Sequence, residues 1–249
     1  MKFNAATVLA NYERSVYIDD TEVKYVLYPS NSDKMLICFT TLGPNIYERI
    51  RMFWNEDESW DINYLFISDN NGEHKGGLYY LGNNENYYIE KQTMALIDHV
   101  CNQQNIKTMY TIGSSMGGYA AIYYGLKLKL DGVIAVVPQV NKEIIEQLGW
   151  QKWKKVLKEV GSLPDLCQLI ACTDTSDLPD LFIQYGTYPA DLAAGEALKE
   201  VLVGKNGLFV FDCFDKSDHT SDFMTKELVD QILNLFAIRS DQTIKGGIR

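Results

Sequence analysis

Thr111-Ile112-Gly113-Ser114-Ser115-Met116-Gly117-Gly118 spells strand, tight turn and helix start within one short segment. Upstream, Lys107-Thr108-Met109-Tyr110-Thr111-Ile112 is rich in β-branched and aromatic residues, as a buried strand requires. Downstream, Tyr119-Ala120-Ala121-Ile122-Tyr123-Tyr124-Gly125-Leu126 carries the small and apolar residues of a helix laid on a sheet. Between them the spacing Gly-x-Ser-x-Gly predicts a cramped turn with Ser115 at its apex. A serine hydroxyl is a weak nucleophile until the backbone holds it clear and a base takes its proton. The turn also sets Ser115 at a helix N-terminus, where free N–H groups stabilise developing negative charge. The plain alternative is a βα turn whose serine only caps the helix. Gly117 and Gly118 oppose that alternative, because glycine costs about 1 kcal/mol relative to alanine inside a helix and so needs another reason to be there.

The elements around this segment predict a layered α/β protein. Arg14–Ile18 and Glu22–Tyr28 alternate apolar and polar residues about Asp19-Asp20-Thr21, the pattern of an antiparallel hairpin. Continuous apolar runs follow at Met35–Thr40, Asn63–Ser68, Gly132–Val137, Leu181–Tyr185 and Leu208–Phe211, as strands covered on both faces require. Helical stretches are expected at Tyr47–Trp54, Asn86–Gln104, Lys142–Val160, Asp191–Val203 and Thr220–Phe236. Such alternation predicts a mostly parallel sheet with helices on both faces, in a single domain over residues 1–249. The connection over residues 141–179 exceeds what a crossover needs, and Trp150, Trp153 and Leu157 recur on one face there, so a small helical cap is expected. The polar tail from Ser240 is expected to fray.

A hairpin, then alternating strands and helices, with Gly-Ser-Ser-Met-Gly-Gly after the fifth strand, resembles the α/β-hydrolase fold over nearly the whole chain, from about Ser15 to Phe236. The resemblance implies a nucleophile at Ser115 and, in chain order, an acid and then a histidine. Only His219 among His74, His99 and His219 lies downstream of Ser115, in the polar loop Phe214–Thr220. The implied acid belongs in Gly186–Asp191, where Asp191 is the one carboxylate; helix capping is its alternative role and Asp215 the reserve. Asp180, Asp212 and Asp218 compete less well. The implied oxyanion donors are the backbone N–H of Met116 and one from Thr40-Thr41-Leu42-Gly43, with Thr41 ahead of Leu42.

The resemblance thus implies a serine esterase or acyltransferase working through a Ser115 ester, with no metal or organic cofactor. A looser likeness to bacterial esterase-like domains of cell-surface glycan and glycoprotein handling suggests a small-molecule or glycan ester as substrate. Tyr79-Tyr80, Tyr87-Tyr88, Trp54 and Trp60 could line a sugar pocket or simply pack beneath helices. His74 could border the site. A non-catalytic relative that binds a ligand is the main alternative. A nucleotide binder fits poorly, because Gly113–Gly118 matches neither phosphate-loop spacing.

The net charge of −10 argues against nucleic acid and anionic membrane surfaces as partners. Cys38, Cys101, Cys167, Cys172 and Cys213 show neither paired disulfide spacing nor close metal-binding pairs, so they read as reduced, buried thiols of a cytoplasmic protein. The N-terminus is too short and too polar for a signal peptide, and no apolar run reaches the roughly 18 residues of a membrane span.

Overall fold

The computed structural model describes residues 1–43, 47–73, 75–83, 86–147 and 151–246, leaving aside the side chains of 152 and 241–246. The hairpin forms as β1 (Glu13–Ile18) and β2 (Thr21–Tyr28), in a register that pairs Glu13 with Val26 and Ile18 with Thr21. Asp19 and Asp20 make the turn with φ of 46° and 60°, a conformation Asp tolerates better than bulkier residues. Strands β3 (Lys34–Phe39), β4 (Asn63–Ile67), β5 (Thr108–Ser114), β6 (Gly132–Val136), β7 (Asp180–Gly186) and β8 (Phe209–Phe214) complete the sheet. Its order is β1-β2-β4-β3-β5-β6-β7-β8; β2 runs antiparallel to both neighbours and the remaining pairs are parallel.

The period of two splits the central strands between two cores. Met35, Ile37 and Phe39 face helices α2 (Tyr88–Gln104), α3 (Met116–Lys127) and α7 (Pro189–Leu202). Leu36 and Cys38 face α1 (Ala5–Tyr12) and α8 (Lys226–Gly246), where Val8, Val229, Ile232 and Phe236 close the second core. Both faces are therefore dry, and the strands had to be apolar throughout. Each parallel strand delivers its C-terminal end to the same edge, where the loops carrying Thr41, Ser115 and His219 begin.

Several expectations need correction. Residues Tyr47–Trp54 form consecutive turns, not a helix; Arg49 sits at φ 68°, which a helix cannot contain. The described residues of the expected helical stretch Lys142–Val160 form α4 (Lys142–Gln147) and α5 (Gln151–Val160), residues 148–150 lying outside the described ones, and α6 (Leu166–Cys172) follows. Trp150 lies outside the described residues, while Trp153 is buried and its ring lies 6.4 Å from that of Tyr79. Helix α1 was not foreseen, and α8 runs past Ser240 to Gly246. Cys172 and Cys213 are exposed, Cys213 because β8 is the sheet's edge strand. The other thiols follow burial: it pushes Cys101 and Cys167 up to about 11 and Cys38 higher still. Among the described residues no helix is long and apolar enough to cross a membrane.

Candidate active site

β5 ends at Ser114 and α3 begins at Met116, so Ser115 alone makes the change from strand to helix. Its φ of 55° and ψ of −117° lie where residues with a side chain seldom sit. Close backbone approach explains the glycines. A Cβ on Gly113 would lie 2.0 Å from the Gly117 carbonyl oxygen, and one on Gly117 would lie 2.6 Å from that of Phe39. Hydrogen bonds hold the bend: the Ser115 N–H donates to Val136 O at 2.9 Å, and the Ser115 carbonyl accepts from Tyr119 N–H at 3.0 Å and Gln139 N–H at 3.3 Å. Val137, a β-branched residue at φ 40°, supplies the facing bend at the end of β6.

Ser115 stands at the N-cap position of α3, yet its hydroxyl makes no capping bond. Its Oγ lies 2.8 Å from His219 Nε2. The imidazole hangs from the loop between β8 and α8, and its Nδ1 lies 2.7 Å from Asp191 Oδ1. Asp191 is in the first turn of α7, whose N-cap is Tyr188, so helix capping is not its role. The positive end of the α7 dipole and the imidazole both favour a charge there. Burial nevertheless dominates and raises the Asp191 carboxyl above its ordinary value, with the His219 bond pulling it back in part. The other oxygen, Oδ2, has no hydrogen-bond partner among the described residues. This chain of contacts is what a hydroxyl needs to lose its proton to a base held in one tautomer.

The competing carboxylates are elsewhere. Asp215 and Asp218 are exposed. Asp212 accepts a bond from Gln184 Nε2 at 2.8 Å. Asp180, at the opposite edge of the sheet, accepts from Leu208 N–H at 3.0 Å and pairs with Arg239 at 3.2 Å. His99 lies on α2, half-buried, and His74 is outside the described residues. No group of three His, Cys, Asp or Glu side chains suited to a metal occurs among the described residues.

The two amides expected as oxyanion donors are differently placed. Met116 is the first residue of α3, so its N–H has no acceptor within the helix. The Thr41 N–H, by contrast, is engaged: it donates to Glu48 Oε2 at 2.8 Å. Glu48 Oε1 pairs with Arg49 Nη1 at 2.9 Å, and Arg49 Nη2 donates to Ser114 Oγ. Ser115 itself is only 4% exposed.

Behind this loop stands Tyr80, wholly buried, whose hydroxyl accepts from Thr40 N–H at 2.7 Å and donates to Ile67 O at 3.0 Å. The Asp69 carboxylate accepts from Leu78 N–H at 2.6 Å and Tyr80 N–H at 2.8 Å, pinning the strand-to-helix loop that carries the ring. Tyr79 and Tyr80 are thus core residues rather than pocket lining, and Trp54 and Trp60 pack with Tyr12 and Tyr28 in the second core. Glu48 and Arg49 escaped sequence reasoning, as did the bond of the Tyr80 hydroxyl to the Thr40 N–H. Two adjacent charges between Tyr47 and Phe53 were a signal, but one indistinguishable from a solvated turn.

No protein-family model and no curated protein matches the sequence. Solved structures do match the fold. The capsule O-acetyltransferase of Neisseria meningitidis serogroup A is similar over 95% of this chain and 99% of its own, at 18% identity and a TM-score of 0.64. A variant of that enzyme in complex with CoA is similar over 84% and 92%, at 18% identity and a TM-score of 0.62. Fluorophosphonate-binding serine hydrolase F of Staphylococcus aureus is similar over 90% and 96%, at 13% identity and 0.64. A ferulic acid esterase is similar over 84% and 90%, at 12% identity and 0.60. With the sheet order and the elbow, these likenesses define the α/β-hydrolase fold.

Proposed function

We propose that the protein is a serine acyl-transfer enzyme, cleaving a small carboxylic ester through an acyl-enzyme on Ser115. The observation that carries this reading is a hydroxyl that leaves its helix end uncapped and lies 2.8 Å from an imidazole, itself 2.7 Å from a buried carboxylate. Ser115 Oγ attacks the carbonyl carbon while its proton passes to His219 Nε2. Asp191 stabilises the imidazolium through Nδ1–H. The negative oxygen of the tetrahedral intermediate takes the Met116 N–H and the oxyanion-loop amide, and His219 then protonates the departing alcohol. Water resolves the ester by the same steps in reverse. The intact chain of contacts weighs against a non-catalytic binding protein, which has no need to keep all three groups in register.

An alcohol in place of water would make the same site an acyltransferase. The near-complete overlap with the capsule O-acetyltransferase, and that enzyme's complex with CoA, support this second reading and a glycan hydroxyl as acceptor. A fluorophosphonate probe tests the shared chemistry: wild type is labelled, and Ser115→Ala is not. Labelling that survives the substitution, or wild type that never labels, would end the proposal. Release of acetate from aryl acetates and acetyl-CoA, with and without glycan acceptors, separates the two readings.

A further inference from the structure

The oxyanion side of the site holds one of the protein's own carboxylates. Glu48 bridges the Thr41 N–H and the Arg49 guanidinium, which in turn reaches Ser114, the residue before the nucleophile. The two charged partners are unequally placed. The Arg49 side chain is 4% exposed, whereas that of Glu48 is 20% exposed and next to solvent. Arg49 Nε is buried with no acceptor among the described residues, so the guanidinium has unspent donor capacity. Arg49 also holds a left-handed backbone, φ 68°, which a side chain adopts only when its surroundings insist. The acid borders solvent and the base does not.

A buried guanidinium left without a counter-charge is strongly disfavoured. Glu48 can therefore leave readily only when another negative charge arrives. We propose that Glu48 is an exchangeable internal anion: it closes the Thr41 amide in the resting protein and yields to the oxyanion that forms when Ser115 attacks. This rests on the acyl-transfer reading above. In that step the Ser115 Oγ–carbon bond forms, the carbonyl π pair moves onto oxygen, and the hydroxyl proton goes to His219. The new charge replaces Glu48 on the Thr41 N–H, and Arg49, from beneath, becomes the positive charge that balances it. Arg49 is a positioning residue and Glu48 a gate that opens to charge. The vacated place suits a single anionic oxygen acid, an acyl oxyanion or a small carboxylate.

Formate is the probe. In Glu48→Ala, or Glu48→Ser should the first variant fold poorly, formate is expected to raise Tm by several degrees and to slow fluorophosphonate labelling. Wild type, whose place is filled, and Glu48→Ala/Arg49→Met, whose counter-charge is gone, should show neither effect. Without formate, Glu48→Ala should label several-fold faster than wild type. Arg49→Met should lose about 10-fold or more in kcat with KM little changed, as expected for a group acting on transition-state charge. No formate response in either Glu48 variant, or one equal in wild type, overturns the exchange, as does an Arg49→Met loss carried by KM. The Tm response needs no turnover. A protein that never labels yet shows it would sink the acyl-transfer reading and keep the anion place.

Discussion

The two halves of the candidate site are built differently. Ser115 and Asp191 stand at the ends of β5 and α7, regular elements whose hydrogen bonds leave little freedom; His219 comes from the loop after β8, and its two ring nitrogens already touch both partners. Thr41 follows β3, Glu48 and Arg49 stand on turns ahead of β4, and the amide expected to receive substrate charge is covered by a side chain. The half with the Ser115–His219–Asp191 contacts is already assembled, and the half with the Thr41 amide is occupied by Glu48. A strand or helix end can hold a group in place at small entropic expense, whereas an irregular segment must be held by side chains and can let go.

Removing a member of the rigid half should break this contrast most severely. His219→Ala is expected to lower kcat for an ester substrate by about 10³-fold or more, with Tm little altered. Asp191→Asn should cost roughly 10²- to 10⁴-fold by leaving the imidazole in the wrong tautomer. If either loss is below a few-fold, the contacts at Ser115 are structural rather than chemical. Gly117→Ala joins the two halves, since the added methyl would meet Phe39 O at 2.6 Å and Thr40 O at 2.8 Å. It should cost about 1–3 kcal/mol in stability by overpacking and displace the oxyanion loop, read by urea unfolding together with kcat.

Tyr80→Phe sharpens the comparison from the other side. It leaves the Thr40 N–H without its acceptor under a loop that has few others, at a cost of about 1–3 kcal/mol. Activity should fall only a few-fold, because Ser115, His219 and Asp191 do not depend on that ring. Equal kcat losses in Tyr80→Phe and His219→Ala would show that the halves are not separable.

The smallest effect is a pH trend. Burial raises the Asp191 carboxyl, so the folded protein binds that proton more tightly than the unfolded chain. Its ionisation therefore subtracts stability as pH rises from the ordinary carboxylate range through the raised value. Asp191→Asn has no such loss, and its Tm relative to wild type should become more favourable across that interval. A difference that shrinks as pH rises would mean that the His219 bond outweighs burial.

Much of this was legible in the residues. The hairpin announced itself by alternation about Asp19-Asp20-Thr21, the parallel strands by unbroken apolar runs, and the elbow by glycines where the backbone comes too close for a Cβ. Tyr47–Trp54 was misread because its aromatic and aliphatic residues mimic an amphipathic stripe. Those residues instead reach the second core from turns, with Phe53, Tyr47 and Ile50 packed there. Cys213 was misread because an edge strand looks like a central one until its missing neighbour is known.

The amino-acid order alone determined the layered architecture and the identity of the strained serine, because both follow from interactions among residues a few positions apart. Folding in three dimensions decided that Asp191 and His219 converge on Ser115, and that Glu48 covers the Thr41 amide. Those pairings depend on strand order and on where two irregular loops come to rest. Contacts across 104 residues, as between Ser115 and His219, leave no periodic trace in the chain.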